Sequence, residues 1–261
     1  MLKNFLKKRK LNIFCSAASI ALMIIVWIIA YYAVKNDYVV PSFTDTVISL
    51  WRCVKSSAFW VAFFNTFGRT ILAFIISFLL AGCLAALSVA CKAFSAFLNS
   101  IMVIFRTLPT LAVILILLIW TSPKTAPVIV TVLVLFPMIY AQITAAFGGI
   151  DGGLKEMAQV YQLSNKVKLF KIYLPSVAPN VLSQTGANIS LGIKIMISAE
   201  VLANTYRSLG GLMQNARLYL EMPRLAALTV AAVVLGLIVE VSFSQFERLT
   251  YKWSRKEGRG D

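Results

Sequence analysis

Six runs of apolar residues, at 11–34, 62–90, 98–120, 126–147, 180–203 and 225–247, recur along the chain, and the Lys, Arg, Asp and Glu residues gather mostly between them. About 20 apolar residues suffice to cross a hydrocarbon core of about 30 Å as an α-helix. Only helices and closed barrels satisfy every backbone N–H and C=O in lipid, and barrel strands show short alternating segments rather than continuous runs. The pattern predicts an all-α, polytopic membrane protein with about six transmembrane helices. The first run, Leu11 to Val34, follows the basic stretch MLKNFLKKRK and is about 36 Å long as a helix at 1.5 Å per residue. A signal peptide has a shorter apolar region and a small-residue cleavage site; this run ends in Tyr31-Tyr32, so it reads as an uncleaved anchor.

Two connections are long. The segment 35–61 carries Val47, Leu50, Trp51 and Val54 at helical spacing, the pattern of an amphipathic helix lying at a membrane surface with its Trp among the headgroups. The segment 148–179 opens with GGIDGG, in which Asp151 and the glycines suit a turn before a helix. Leu154, Met157 with Ala158, and Tyr161 then share one helical face, Leu163-Ser164-Asn165 offers a break with a capping side chain, and Val167 and Phe170 continue an apolar face. Leu174-Pro175, with Pro179 beyond, ends the segment where the next run begins. This is a helix-turn-helix with an apolar side, which wants a partner groove.

Composition agrees with the pattern: 59% of residues are hydrophobic and 13% charged, about half the charged share of a soluble domain, with a mean hydropathy of +0.82. The net charge of +15 does not point to nucleic acid, because the basic residues sit at the ends of apolar runs rather than on one soluble face. They report topology instead. With the amino terminus inside, fifteen Lys and Arg fall on the cytoplasmic side and seven outside, with Arg69, Arg106 and Lys194 within runs; the bias favours cytoplasmic termini and a cytoplasmic 148–179 loop. Cys15, Cys53, Cys83 and Cys91 form no CxxC pair and histidine is absent, so neither a metal site nor a cofactor is expected. Lys166, Lys168 and Lys171 fit retention of the loop inside or contact with an acidic partner.

The loop residues resemble those of the permease subunits of type I ATP-binding-cassette (ABC) importers, which carry Glu-Ala-Ala, a glycine six residues after the Glu, and Leu-Pro at eighteen and nineteen residues after it. Glu156, Ala158 and Leu174-Pro175 stand in that register; Met157 replaces the first alanine and Gln162 the glycine. A glycine there permits a left-handed turn, so Gln162 implies either a strained residue or a turn shifted onto Leu163-Ser164-Asn165. Pro41-Ser42, Asn65-Thr66 with Arg69, Arg106-Thr107-Leu108-Pro109, Phe136-Pro137 and Ala199-Glu200 resemble the branch that holds nitrate, sulfonate, taurine and thiamine-precursor permeases.

No Gly-x-x-x-x-Gly-Lys-Ser/Thr run occurs in the chain, so it has no P-loop for nucleotide. The resemblance implies a non-enzymatic subunit that couples to separate ABC ATPase subunits. The contact residues would be Glu156, Met157, Ala158, Tyr161, Gln162, Val167, Phe170, Leu174 and Pro175. It also implies an extracytoplasmic solute-binding protein, a second permease subunit forming a homodimer in the bilayer, and a transport domain over 62–247. Ahead of that domain lie a basic cytoplasmic tail at 1–10, the first transmembrane helix at 11–34 and the external segment 35–61, and a second basic cytoplasmic tail follows at 248–261. On the fifth run Ser183, Ala187, Ser190, Lys194 and Ser198 recur at spacings of three and four, a stripe that suits helix packing or a translocation pathway. An ammonium at the depth of Lys194 costs about 2.5–3.5 kcal/mol on insertion scales and turns toward a cavity or a partner. Lining a pathway, it would favour anionic solutes such as a sulfonate or nitrate; the resemblance leaves the substrate as a small anion such as a sulfonate, taurine or nitrate, or else a thiamine-precursor pyrimidine. Glu200 is expected to pair with Arg207 or Arg217. The competing class is a self-sufficient channel or secondary transporter, for which intramembrane carboxylates and repeated halves are expected; Glu240 is the one acid well inside a run. A membrane-embedded enzyme is the third class, disfavoured by the missing histidines and the lack of an acid-base cluster in this sequence.

Overall fold

Aliphatic and aromatic side chains fill the apolar runs, and each run winds into helix, the third in two pieces. The computed structural model describes residues 2–164 and 167–257. Asn165 and Lys166, given capping and topological roles above, lie outside the described residues, as do Met1 and residues 258–261. In chain order the helices are α1 (Leu2–Val34), α2 (Phe43–Lys55), α3 (Ser57–Ala90), α4 (Lys92–Thr107), α5 (Thr110–Trp120), α6 (Ala126–Gly148) and α7 (Gly152–Val160). A π-helical segment (Lys168–Tyr173) then runs into α8 (Leu174–Ala203), followed by α9 (Leu209–Leu218) and α10 (Met222–Glu257). Four of these are long and apolar enough to cross a membrane: Ser57–Val89, Ala126–Gly148, Lys168–Ala203 and Met222–Gln245. The pair α4 and α5 makes a fifth crossing if its bend is counted as one span, and α1 adds the apolar stretch Ala18–Val34.

The hydropathy of 98–120 predicts one continuous helix, but the chain bends by 91° between α4 and α5. Pro109 disfavours helical geometry at the residue before it, and Leu108 is accordingly extended, at φ −61° and ψ 128°. The opposite correction applies at Leu174-Pro175, which does not end the segment. Helix continues from Lys168 to Ala203 through both Pro175 and Pro179. A proline ring inside a helix collides with the carbonyl four residues back and removes an N–H. Here the turn before Pro175 is widened to π register, with the Leu174 N–H donating to the Leu169 carbonyl. Such an insertion absorbs the mismatch without breaking the helix.

α8 is the central helix, packed against α3, α5, α6, α9 and α10. One apolar cluster lies at the end of the bundle where α2 and α9 sit, around Phe59, Ile193, Ile197, Leu209 and Leu228. A second lies at the end that carries the 148–179 loop, around Leu98, Ile139, Tyr140, Phe147 and Val177. Lipid tails are as apolar as these side chains, so helix association there depends on close packing and interhelical hydrogen bonds. Both are present. A Cβ at Gly186 of α8 would lie 2.8 Å from the Phe243 Cβ of α10, and one at Gly236 of α10 would lie 3.1 Å from the Ser190 hydroxyl of α8. Gln142 of α6 and Asn188 of α8 exchange hydrogen bonds of 3.0 and 2.7 Å. Leu72, Leu79, Leu237 and Ile238 point outward, as lipid-facing positions do.

α2 begins at Ser42, whose hydroxyl accepts the Asp45 N–H at 3.0 Å, and it packs along α10 and the start of α3. Its Val47, Trp51 and Val54 face away from the bundle while Leu50 packs inward. That arrangement suits a helix lying in the membrane interface.

Candidate functional site

At the loop end of the bundle, Asp151 caps α7, its carboxylate accepting the N–H groups of Gly153 at 2.7 Å and Leu154 at 3.2 Å. The helix closes on a left-handed residue. Gln162 has φ 48°; its N–H donates to the Gln159 carbonyl at 2.9 Å, and the Leu163 N–H to the Ala158 carbonyl at 3.2 Å. This pair of bonds is the Schellman ending, which favours glycine at the left-handed position. Of the two alternatives for Gln162, the structure has the strained residue in an unshifted turn. Both helical segments then leave apolar side chains uncovered: Val160, Tyr161 and Phe170 are 78%, 73% and 67% exposed, and Met157 and Leu174 are also exposed. Glu156, Gln162 and Pro175 lie on the surface and Val167 is half-buried. Ala158 departs from the shared face: it is fully buried, because its small side chain lets α7 approach the bundle. Val160, which the spacing did not single out, takes a place on the exposed face.

The stripe on α8 divides. Ser183, Ala187, Lys194 and Ser198 are exposed along one side of the helix. Ser190 is not among them; it is buried against Gly236 and belongs to the packing of α8 on α10. Ser183 and Ser198 donate to carbonyls of their own helix, Asn180 at 2.7 Å and Lys194 at 2.9 Å, the usual resort of a hydroxyl in an apolar setting. Among the described residues the Lys194 ammonium has no carboxylate within 4.0 Å. That exposed side of α8 therefore offers one cation and two hydroxyl-bearing positions.

The third group lies at the other end of α8. Glu200 pairs with Arg69 of α3 at 2.9 Å, not with Arg207 or Arg217. Its second carboxylate oxygen accepts the Thr66 hydroxyl at 2.7 Å and the Gly210 N–H at 3.3 Å. The Thr66 oxygen in turn accepts the Leu209 N–H at 2.9 Å, and the Asn65 amide donates to the Arg207 carbonyl at 3.0 Å. One carboxylate thus ties α3, α8 and the first turn of α9 together, with helix N-terminal donors and a guanidinium satisfying it. The close approach depends on Gly210. A Cβ there would run into the Cβ of Glu200 and lie 2.6 Å from the Val201 nitrogen. The residues Asn65, Thr66, Arg69 and Glu200 were visible in the sequence, but 131 residues separate the ion pair and nothing local signals it. A fourth polar tie joins the bent span to the bundle, the Arg106 guanidinium donating to the Pro137 carbonyl of α6 at 3.0 Å.

Residues 78–250 match the family described as the binding-protein-dependent transport system inner membrane component. The chain belongs to this family. It is a type I ABC importer permease, an inner-membrane transport subunit rather than an enzyme. This permease is 29% identical over 154 residues to the putative aliphatic sulfonates transport permease protein SsuC of Escherichia coli (strain K12), a match covering 57% of each chain. The SsuC protein of Bacillus subtilis (strain 168) is 24% identical over 240 residues, covering 89% of this permease and 85% of that protein. Both carry sulfonate-transport names, and sulfonate permeases are in the branch that the sequence resembles. Among solved structures, a bacterial alginate ABC transporter in complex with an alginate-bound periplasmic protein superposes with a TM-score of 0.64 at 14% identity, over 93% of this permease and 97% of that chain. At that identity the likeness is one of fold.

Proposed function

We propose that this permease forms half of the translocation pathway of an importer for a small organic anion, of which a sulfonate is the leading candidate. Two copies would face each other across the exposed side of α8, two separate ATPase subunits would seat the α7 and π-segment surfaces, and a solute-binding protein would deliver substrate from outside. The amino terminus and the 148–179 loop lie in the cytoplasm in this reading, in line with the excess of Lys and Arg on that side. Residues 62–247 then make up the transport domain.

The observation that carries the reading is the uncovered patch of Met157, Val160, Tyr161 and Phe170 on short helical segments at one end of a membrane bundle. Such a patch is costly in water and has the shape of a helix-in-groove contact. Closure of two ATPase subunits on ATP would draw the paired loops together, and the unbroken helix from Lys168 to Ala203 would transmit that movement along α8. Lys194 on the open face supports an anionic cargo, since a cation in a low-dielectric passage attracts negative charge; a neutral pyrimidine gains nothing from it. The relatives' sulfonate names agree with that charge.

Reconstitution tests the reading. The permease is placed in vesicles with its ATPase and binding protein, and uptake of a labelled alkanesulfonate is followed. Uptake that requires all three components and ATP is expected. Uptake by the permease alone, without ATPase, would identify a self-sufficient transporter and overturn the proposal.

A further inference from the structure

At the bundle end opposite the loop, a cavity of about 480 Å³ opens between α2, the first turn of α3 and the start of α10. Its floor is apolar, made by Phe59, Leu212 and Leu228, and its rim carries Arg52, Arg224, Ser49 and Ser56. Arg224 pairs with Glu221 at 2.8 Å, whereas Arg52 has no carboxylate within 4.0 Å among the described residues. Cys53 also faces the cavity. Burial pushes its thiol above the ordinary range, with Arg224 pulling the other way, so it stays neutral and adds no negative charge to the rim. The rim therefore carries one net positive charge beside two hydroxyl donors.

The position of this cavity matters as much as its charge. It sits where α3 and α10 both start, beside a helix whose Val47, Trp51 and Val54 point outward, and next to Trp60, whose indole donates to the Val54 carbonyl at 2.8 Å. Trp at span ends marks the headgroup level of a bilayer. A basic rim above an apolar floor at that level complements an amphiphile with an anionic head. An inorganic anion such as phosphate, by contrast, has no use for Phe59 and Leu228.

We propose that this cavity is a binding site for an anionic phospholipid, whose phosphate lies between Arg52 and Arg224 and whose glycerol and first acyl carbons rest on Phe59 and Leu228. Arg guanidinia bind phosphate through paired N–H donors, and Arg224 can share its donors between Glu221 and the phosphate. The site is separate from the exposed α8 face and from the loop, so its occupancy fixes α2 against α10 without entering the proposed transport route.

Native mass spectrometry of the delipidated, detergent-purified transporter complex tests this. Phosphatidylglycerol is titrated beside phosphatidylcholine with the same acyl chains, with inorganic phosphate and methanesulfonate as soluble competitors. The expected result is tight phosphatidylglycerol binding, at least about tenfold stronger than that of phosphatidylcholine. It should be lost in Arg52→Gln, a surface substitution that leaves the fold intact, and retained in Lys35→Gln, which lies outside the cavity. Equal binding of the two lipids, or unchanged binding in Arg52→Gln, would overturn the proposal. Displacement of phosphatidylglycerol by either soluble anion would also overturn it, assigning the cavity to small anions instead. None of these outcomes bears on whether uptake requires the ATPase.

Discussion

Replacing Arg69 with Met would leave the Glu200 carboxylate, fully buried at 0% exposure, with the Thr66 hydroxyl and Gly210 N–H as donors but no cation. Removing one partner of a buried ion pair costs about 3–5 kcal/mol. The Arg69 side chain is 20% exposed, and Thr66 and Gly210 still donate to the carboxylate, which places the effect near the lower bound, at about 3 kcal/mol. Glu200→Gln keeps one acceptor for Thr66 and Gly210 and leaves Arg69 able to reach water. Its loss is that of a charged hydrogen bond, about 2 kcal/mol. The double variant, with a neutral amide beside a neutral Met, should lose about 3 kcal/mol rather than the additive 5, a coupling of about 2 kcal/mol. A domain of this size shifts in Tm by about 2–4 °C per kcal/mol. Tryptophan-fluorescence melting of the purified complex should therefore fall by roughly 6–12 °C for Arg69→Met, and by nearly the same amount for the double variant. Additive shifts, or a shift of Arg69→Met near zero, would show that the clasp between α3, α8 and α9 does not act as a coupled unit.

Two further outcomes follow from the geometry. Gln162→Gly should raise stability by about 1 kcal/mol, because glycine adopts the left-handed region without the steric cost a side chain carries there; a rise in Tm with uptake retained checks it, and a fall would contradict the strain. Lys194→Met should leave assembly with the ATPase intact and reduce uptake of an anionic sulfonate several-fold, measured as initial rate against concentration. Unchanged kinetics would remove Lys194 from the route.

The helices were legible in the sequence because hydropathy is summed over twenty residues and survives local irregularity. The angle at Leu108-Pro109 was not legible, since an apolar run carries no record of direction and prolines do not act alike. Pro109 follows an extended residue and turns the chain, whereas Pro175 sits behind a π turn that accommodates it. The same limit separated Ser190 from Lys194. Their spacing places both near one side of α8, but Ser190 lies at the margin where Gly236 of α10 approaches, and which margin is covered depends on a neighbour 46 residues away. Spacing likewise placed Ala158 with Met157, although a small residue beside exposed large ones is the natural point of contact with the bundle. Glu200 was expected to pair nearby in sequence, and its true partner comes from α3 through the fold. The exposure of Met157, Tyr161 and Phe170, by contrast, follows from their periodicity in a short segment between spans, whereas Val160, at 78% the most exposed of the patch, falls outside that spacing.

If a separate ATPase covers the patch of Met157, Val160, Tyr161 and Phe170, as proposed, a charge placed within that patch must detach it. Phe170→Asp, in a permease co-expressed with its ATPase, places a charge on the most outward part of the π segment while leaving the membrane core untouched. Affinity purification through a tag on the permease should recover normal amounts of membrane-inserted protein with little or no ATPase and no ATP-dependent uptake. Recovery of stoichiometric ATPase with uptake unchanged would contradict the claim.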